Sequence, residues 1–313
     1  MFLLWDAPLL LNKINSMKKI LFYLSFAVIW LFSLLPLSVL YFFSDCGFYL
    51  IYYIVRYRRG VVRENLTNSF PKMSITEIIR IEKEFYHSFC DIFIEAFKLL
   101  HISEEEIGRR MKIVNIELIH ELMKNGQNVF MVLGHYGNWE WNSSLAPLID
   151  KKYVVAQIYH PLRDPYWDKF FDDLRSRFGA INIPMKKTFR EIISHKRQGK
   201  IMAIGFISDQ SPKKEGLDFW TTFLNQDTAF LTGAERIAKQ TNSALVYSDV
   251  RKIKRGYYES TIVMMTDRPN EMPDYEITEM YARMMEKTIQ RDPAYWLWTH
   301  KRWKHKHEVN SEQ

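Results

Sequence analysis

Residues 128–141 read NVFMVLGHYGNWEW. The first six, NVFMVL, are short, apolar and partly β-branched, the pattern of a buried strand. Gly134 breaks the run and His135 comes at once after it. A histidine at a strand end stands where α/β proteins tend to carry catalytic side chains. Glu140 comes five residues later. On a continuous helix, residues five apart point ~140° away from each other and cannot meet, because helix neighbours lie at i+3 and i+4. A partnership between His135 and Glu140 therefore needs a turn, and Gly134, Gly137 and Asn138 supply one. Asn138 also suits the N-cap of a helix that starts at WEWNSSL. In this reading the glutamate holds the imidazole tautomer while the other ring nitrogen faces substrate. That is a base and its orienter with no protein nucleophile. No GxSxG elbow supplies a serine, so the nucleophile is a substrate hydroxyl. Taken alone, the pair equally fits a strand-end histidine satisfied by a core partner. It is not HExxH, so a zinc protease is excluded.

The rest of the chain extends this pattern. Strands are predicted at residues 128–133, 153–158, 201–207 and 244–250. Helical segments are predicted near residues 138–148, 166–178, 188–197, 231–240 and 275–290. Such alternation argues an α/β fold, a mixed sheet covered by helices. The stretch VRKIKRGYYESTIVMM reads as a hairpin turning at Arg255-Gly256. Upstream, Pro71 ends one element, and Ser74 with Glu77 has capping-box spacing. Ile78, Ile81, Phe85, Phe89, Ile92, Phe93 and Ala96 then recur three or four apart, as in an amphipathic helix packed on a core.

The 313 residues are 47% hydrophobic, enough for one large domain with an ample core. Neither a repeat nor a linker divides it. A net charge of +7 and a pI of about 9.1 point to an anionic partner: nucleic acid, a phospholipid surface or an acidic carrier protein. Aromatic residues at 15% lean toward lipid. Two cysteines, Cys46 and Cys90, make neither a disulfide framework nor a zinc site, and both read as apolar fillers.

Residues 20–43, ILFYLSFAVIWLFSLLPLSVLYFF, carry no charge and are long enough to cross a bilayer core of ~30 Å. The run exceeds a signal-peptide h-region of roughly 7–15 residues, and Pro36 is placed to kink it. A shorter apolar run, GFYLIYYIV, has tyrosines suited to an interface. Arg56, Arg58, Arg59 and Arg63 outweigh Lys13, Lys18 and Lys19, which places the bulk of the chain in the cytoplasm. A monotopic hairpin is the alternative topology. Residues 1–60 thus read as a membrane anchor and 61–313 as the catalytic domain, with Met17 as a natural start.

In that setting GHYGNWEW resembles the lysophospholipid acyltransferase superfamily and, within it, the bacterial lipid A late acyltransferases (the lauroyl and myristoyl acyltransferase family). YRRGVVRENLTNSFP, IYHPLRDPYWDKFFDDLRSRFGA, IGFISDQSP, FLTGAERIAKQTNSALV and PAYWLWTHKRWK resemble further blocks of that family in order. The resemblance implies a single acyltransferase domain with an N-terminal transmembrane helix in the bacterial inner (plasma) membrane. It implies His135 as general base and Glu140 as its orienter. The acyl group would come from acyl carrier protein or acyl-CoA as co-substrate, with no cofactor or metal and no nucleic acid. The acceptor would be a hydroxyl of a lipid A precursor in the membrane. Loop amides near Gly137 are candidate oxyanion donors. Arg175, preferred over Arg177, Asp209 and Arg302 are implied substrate-binding residues, with a solvated helix face the plain alternative for the first and a helix or turn cap for Asp209. Phe223-Leu224-Asn225 departs from the family's usual Phe-Phe-Gly, Tyr247 from its proline, and Lys301 and Trp303 from its Arg and Phe. The tail YWLWTHKRWKHKH, with Trp296, Trp298 and Trp303 among basic residues, reads as a membrane-surface element, and His305 and His307 as solvated. Transfer to another lysolipid (a glycerophospholipid or an amino-acid lipid), hydrolysis by the same pair, and an idle scaffold are the competing functions.

Overall fold

The computed structural model describes residues 7–305, with side chains from residue 17. Its centre is a seven-stranded mixed sheet in the order β1-β9-β8-β2-β5-β3-β4. The strands are β1 (Met111–Val114), β2 (Val129–Leu133), β3 (Val154–Tyr159), β4 (Ile181–Pro184), β5 (Met202–Ile207), β8 (Ala244–Lys254) and β9 (Tyr257–Thr266). Only β8 and β9 run antiparallel. β6 (Trp220–Phe223) and β7 (Gln226–Ala229) form a separate hairpin. β2 is buried at every residue, as a central parallel strand covered on both faces must be.

Helices α1 (Ala7–Ser33), α2 (Leu37–Tyr49), α3 (Arg59–Ser69) and α4 (Ile75–Lys98) precede the sheet. α5 (Glu104–Arg110), α6 (Glu117–Lys124), α7 (Pro165–Ser176), α8 (Thr188–Arg197), α9 (Gly233–Thr241) and α10 (Glu276–Arg291) alternate with its strands. The expected capping box starts α4: Ser74 Oγ accepts from the Glu77 amide and Glu77 Oε2 accepts from the Ser74 amide at 2.8 Å. The four predicted strands are present to within a residue at their starts. The short β1 and β4 and the β6–β7 hairpin were not predicted. In that hairpin Leu224 (φ 50°) and Asn225 (φ 62°) make the two-residue turn, so the departure from Phe-Phe-Gly keeps the left-handed backbone.

The apolar run of residues 20–43 is not one helix. Proline at 36 lacks the amide a helix needs and disfavours helical backbone before it, so α1 stops at Ser33 and α2 starts at Leu37. Lys98 Nζ, itself buried, donates to the carbonyls of Ser33 and Leu35 at 2.9 and 2.8 Å, satisfying groups freed by the break. α2 continues through a π-helical turn (Leu50–Val55), and Leu37–Val55 is long and apolar enough to cross a membrane, with 22% of it buried. Both helices also pack on the rest of the molecule. Phe22 stacks on Tyr166 of α7, and Leu37, Leu40, Phe48 and Tyr52 join the same core as the sheet, across the boundary expected at residue 60. Of the arginines next in the chain, Arg59 and Arg63 pair with the buried Glu82.

The β8–β9 turn falls at Arg255-Gly256, as predicted. Arg255 reaches both Asp45 of α2 and Asp91 of α4, each at 2.7 Å. Gly256 has φ +73°, and an added Cβ would lie 2.1 Å from the Tyr41 hydroxyl. Gly256→Ala is expected to cost about 1–2 kcal/mol from the left-handed backbone alone, and more because Tyr41 must move. Thermal unfolding of the full chain should show this as a lowered midpoint.

Candidate active site

The site is built by sheet register. β2 and β5 are parallel neighbours with Leu133 opposite Ile207, so the chain leaves both strands side by side. Two residues beyond each strand stand His135 and Asp209. The Ser208 amide donates to the Leu133 carbonyl at 3.1 Å and the Tyr281 hydroxyl donates to the same carbonyl at 2.9 Å, which ties the two exits together. Gly134 leaves room here: an added Cβ would lie 2.4 Å from Met285 Cε and 3.2 Å from Asp209 Oδ2, so the methionine end would have to move.

His135 Nδ1 lies 2.6 Å from Asp209 Oδ1, and the His135 amide donates to Oδ2 at 2.8 Å. Trp296 Nε1 donates to the same Oδ2 at 2.8 Å. Asp209 is 3% exposed. Burial by itself raises its pKa, but the charge and hydrogen bonds of His135 and the bond from Trp296 outweigh this and lower it to about 2. A carboxylate only accepts hydrogen bonds. Nδ1 therefore carries the ring proton and Nε2 presents its lone pair, 3.3 Å from the Gln210 amide nitrogen. The Trp139 ring meets the imidazole edge-on at a centroid distance of 5.1 Å.

Glu140 is placed differently from expectation. It does not take the imidazole Nδ1, which Asp209 holds. Instead Arg175 grips Glu140 with two bonds, Nε to Oε2 at 2.9 Å and Nη2 to Oε1 at 2.7 Å. The turn and the N-cap are as read from sequence: Gly137 has φ +56° and Asn138 Oδ1 accepts from the Trp141 amide. The segment after the cap is a 3-10 helix (Trp139–Leu148) that contains Pro147, rather than an α-helix. Arg177 points elsewhere, to the carbonyls of Leu99 and Ile102 at the end of α4, so of the two arginines only Arg175 joins the loop.

Other expectations change too. The Gly137 amide donates to the Tyr295 carbonyl at 2.9 Å and is not available to an oxyanion. Arg302 is 2% exposed; it donates to the Ala229 carbonyl and lies over the Phe230 ring, a buried position rather than a substrate-facing one. Burial lowers its pKa to about 10. Trp296 and Trp298 are buried, and Trp303 donates to Thr228 Oγ1, so these tryptophans close the core behind Asp209 instead of standing exposed, while Lys301 and Lys304 remain exposed. His305 approaches the Pro212 carbonyl at 3.1 Å, and His307 lies outside the described residues. His300, not singled out from sequence, accepts from the Ser211 amide at 3.1 Å, and burial lowers its pKa to about 4. It is therefore neutral at physiological pH and holds the loop that carries Asp209 and Gln210.

A partly exposed strand-end base whose tautomer is set by an ionised carboxylate, with no serine or cysteine hydrogen-bonded to its ring among the described residues, can remove a proton from a bound hydroxyl. A sequence model of bacterial lipid A biosynthesis acyltransferases matches residues 11–305. The chain is similar to the lipid A biosynthesis lauroyltransferase of Escherichia coli (strain K12), at 23% identity over 90% of each chain. It is similar to the palmitoleoyltransferase of the same organism, at 22% identity over 88% of this chain and 89% of the other. A lipid A biosynthesis acyltransferase of Shigella flexneri matches to the same extent.

The depressed Asp209 pKa sets a pH dependence of stability. An unfolded carboxyl near 3.8 binds its proton before the folded one does, so the pair stabilises the fold above that pH and the contribution is lost as pH falls toward 2. The difference is on the order of 2 kcal/mol. Denaturant unfolding at pH 5 and at pH 2.5 should show a smaller loss of stability for Asp209→Asn than for the unaltered chain.

Proposed function

Because the chain belongs to the bacterial lipid A biosynthesis acyltransferase family and is an acyltransferase, we propose that it moves a fatty acyl group from a thioester to a hydroxyl of a lipid A precursor. The observation that carries the mechanism is the His135–Asp209 pair at 2.6 Å. The acceptor hydroxyl takes the place of the Gln210 amide at Nε2 and gives its proton to it. The oxygen attacks the thioester carbonyl, a C–O bond forms, and the C–S bond breaks. The thiolate leaves with the proton that His135 returns. Asp209 holds the tautomer and stabilises the imidazolium. Glu140 and Arg175 act as a pair: the carboxylate fixes the guanidinium, a quarter exposed, at the edge of the histidine loop, where it meets the acceptor's anionic headgroup.

The donor is acyl carrier protein, an acidic partner for a chain of net charge +7. Membrane anchoring is supported by α1, which has apolar residues on two faces. Phe22, Phe26 and Phe32 pack inward, while Leu21, Leu24, Val28 and Leu31, spaced three or four apart, are each more than 60% exposed. An unpartnered stripe of this kind, continued by Phe42, Tyr49 and Ile54, suits insertion into one leaflet better than a bundle core. We therefore take the anchor as monotopic, with the site on the cytoplasmic side of the inner membrane.

With purified enzyme, acyl carrier protein thioester and a lipid A precursor, His135→Ala should lower turnover by ~10²–10⁴-fold. Asp209→Asn should come next, because an asparagine amide presents the wrong partner to Nδ1. Glu140→Gln should fall mainly in acceptor KM, since a headgroup contact is uniform binding. A fall for Glu140→Gln as deep as for His135→Ala, with Asp209→Asn near normal, would return the orienting role to Glu140. Acylation of a lysophospholipid with none of the lipid A precursor would replace the acceptor. Activity that holds up equally in low and high salt would argue against the acidic carrier.

A further inference from the structure

Glu95, on α4, is fully buried, and the acid–base chemistry of His135 and Asp209 makes no use of it. Three donors converge on its carboxyl. The Tyr41 hydroxyl of α2 donates to Oε1 at 2.7 Å, and the Tyr258 hydroxyl of β9 and the Asn138 side-chain amide donate to Oε2 at 2.8 and 2.7 Å. Its backbone carbonyl accepts from Trp141 Nε1 at 3.0 Å. Asn138 is itself 0% exposed, and its other side-chain atom, Oδ1, caps the Trp141 amide at 3.1 Å. Asn138 stands between His135 and Glu140. One carboxyl therefore holds both the midpoint of the histidine loop and a side chain of the helix whose outer face is apolar and unpartnered.

A buried carboxyl is costly unless its bonds are made, and an apolar residue of similar size would fill this position without them. The arrangement has a mechanical consequence. Tyr41 is wedged against Gly256 and Arg255 lies over its ring, so α2 cannot shift without moving the hydroxyl that Glu95 binds. A shift at Glu95 passes to Asn138 and so to His135, where a displacement of about 1 Å is enough to cost ~10²-fold in rate.

We propose that Glu95 is a positioning residue that couples α2, through Tyr41, to the catalytic loop, through Asn138, so that the seating of the apolar helix sets the geometry around His135. The proposal rests on the acyltransferase reading of that loop. Burial raises the Glu95 pKa, which makes glutamine a fair neutral replacement.

The test uses the full chain in phospholipid nanodiscs, with acyl carrier protein thioester and a lipid A precursor. Glu95→Leu should lower kcat by ~10–100-fold while both KM values stay within about threefold, because the loop and not the binding surface is disturbed. Glu95→Gln should keep kcat within about fivefold, and Tyr41→Phe should lower it by about threefold or more. The variant carrying both Tyr41→Phe and Glu95→Leu should be no slower than Glu95→Leu alone, because a single linkage is lost only once. Multiplying effects, or a folded Glu95→Leu with normal kcat, would overturn the proposal. If Glu95→Leu does not fold, Tyr41→Phe in the Glu95→Gln background should still lower kcat by about threefold, because glutamine keeps the linkage, and no further loss there would overturn the proposal. Hydrogen exchange of residues 134–141 is measured alongside: faster exchange in Tyr41→Phe supports the coupling, and unchanged exchange overturns it. If the unaltered enzyme acylates neither lipid, the substrate reading fails while exchange still decides the coupling.

Discussion

One buried negative charge organises the centre of this protein. Asp209 leaves water almost completely, which its carboxylate tolerates only because three donors meet it: the ring and the amide of His135 and the indole of Trp296. Each element of the cluster arrives from a different part of the chain. His135 comes from the end of β2, Asp209 from the end of β5, and Trp296 from the closing segment after α10. The carboxylate thus selects the histidine tautomer, fixes the ring and anchors the carboxy-terminal tryptophans in the core. Structural demand and chemical demand fall on the same atoms, so the base is oriented by a group that the fold itself requires.

The sheet and the position of the histidine at the end of β2 were legible in the sequence because they depend on local pattern. NVFMVL before Gly-His announces a buried strand and its exit. The capping box at Ser74, the Asn138 cap and the Arg255-Gly256 turn were legible for the same reason. Pairing across distance did not show. Glu140 is near His135 in the chain, and Asp209 is 74 residues away. Only the register of β2 beside β5 reveals which carboxylate reaches the ring. The clue was present in IGFISDQ, a second apolar strand ending in a polar pair, but strand adjacency is needed to use it. The tail misled for a related reason: tryptophans among lysines look like an interface by composition, while their burial depends on the space behind Asp209. The four-residue strands β1 and β4 are too short for a periodic signal.

The amino-terminal helices illustrate how one proline alters a hydropathy argument. A run of 24 uncharged residues meets the length rule for a span, yet Pro36 divides it and the two pieces dock on α4 and α7. Their inward faces are rich in aromatic contacts, as in a soluble core, and their outward faces remain apolar. Such an element is neither a passive tether nor a packed bundle helix. It shares its residues between protein and surroundings, which is why Lys98 can be buried against its broken end and why Asp45 can reach the arginine of the β8–β9 turn.

The parallel register of β2 and β5 also bears on how the chain becomes competent. Parallel strands so far apart in sequence pair late, because loop-closure entropy is paid before their contacts form. The histidine and its carboxylate are apart until that pairing is complete, and Trp296 reaches the same carboxylate from the segment after α10. A nascent or partly assembled chain therefore holds an imidazole with no fixed tautomer and an aspartate still in water. The paired, tautomer-fixed imidazole exists only once β2 and β5 lie side by side.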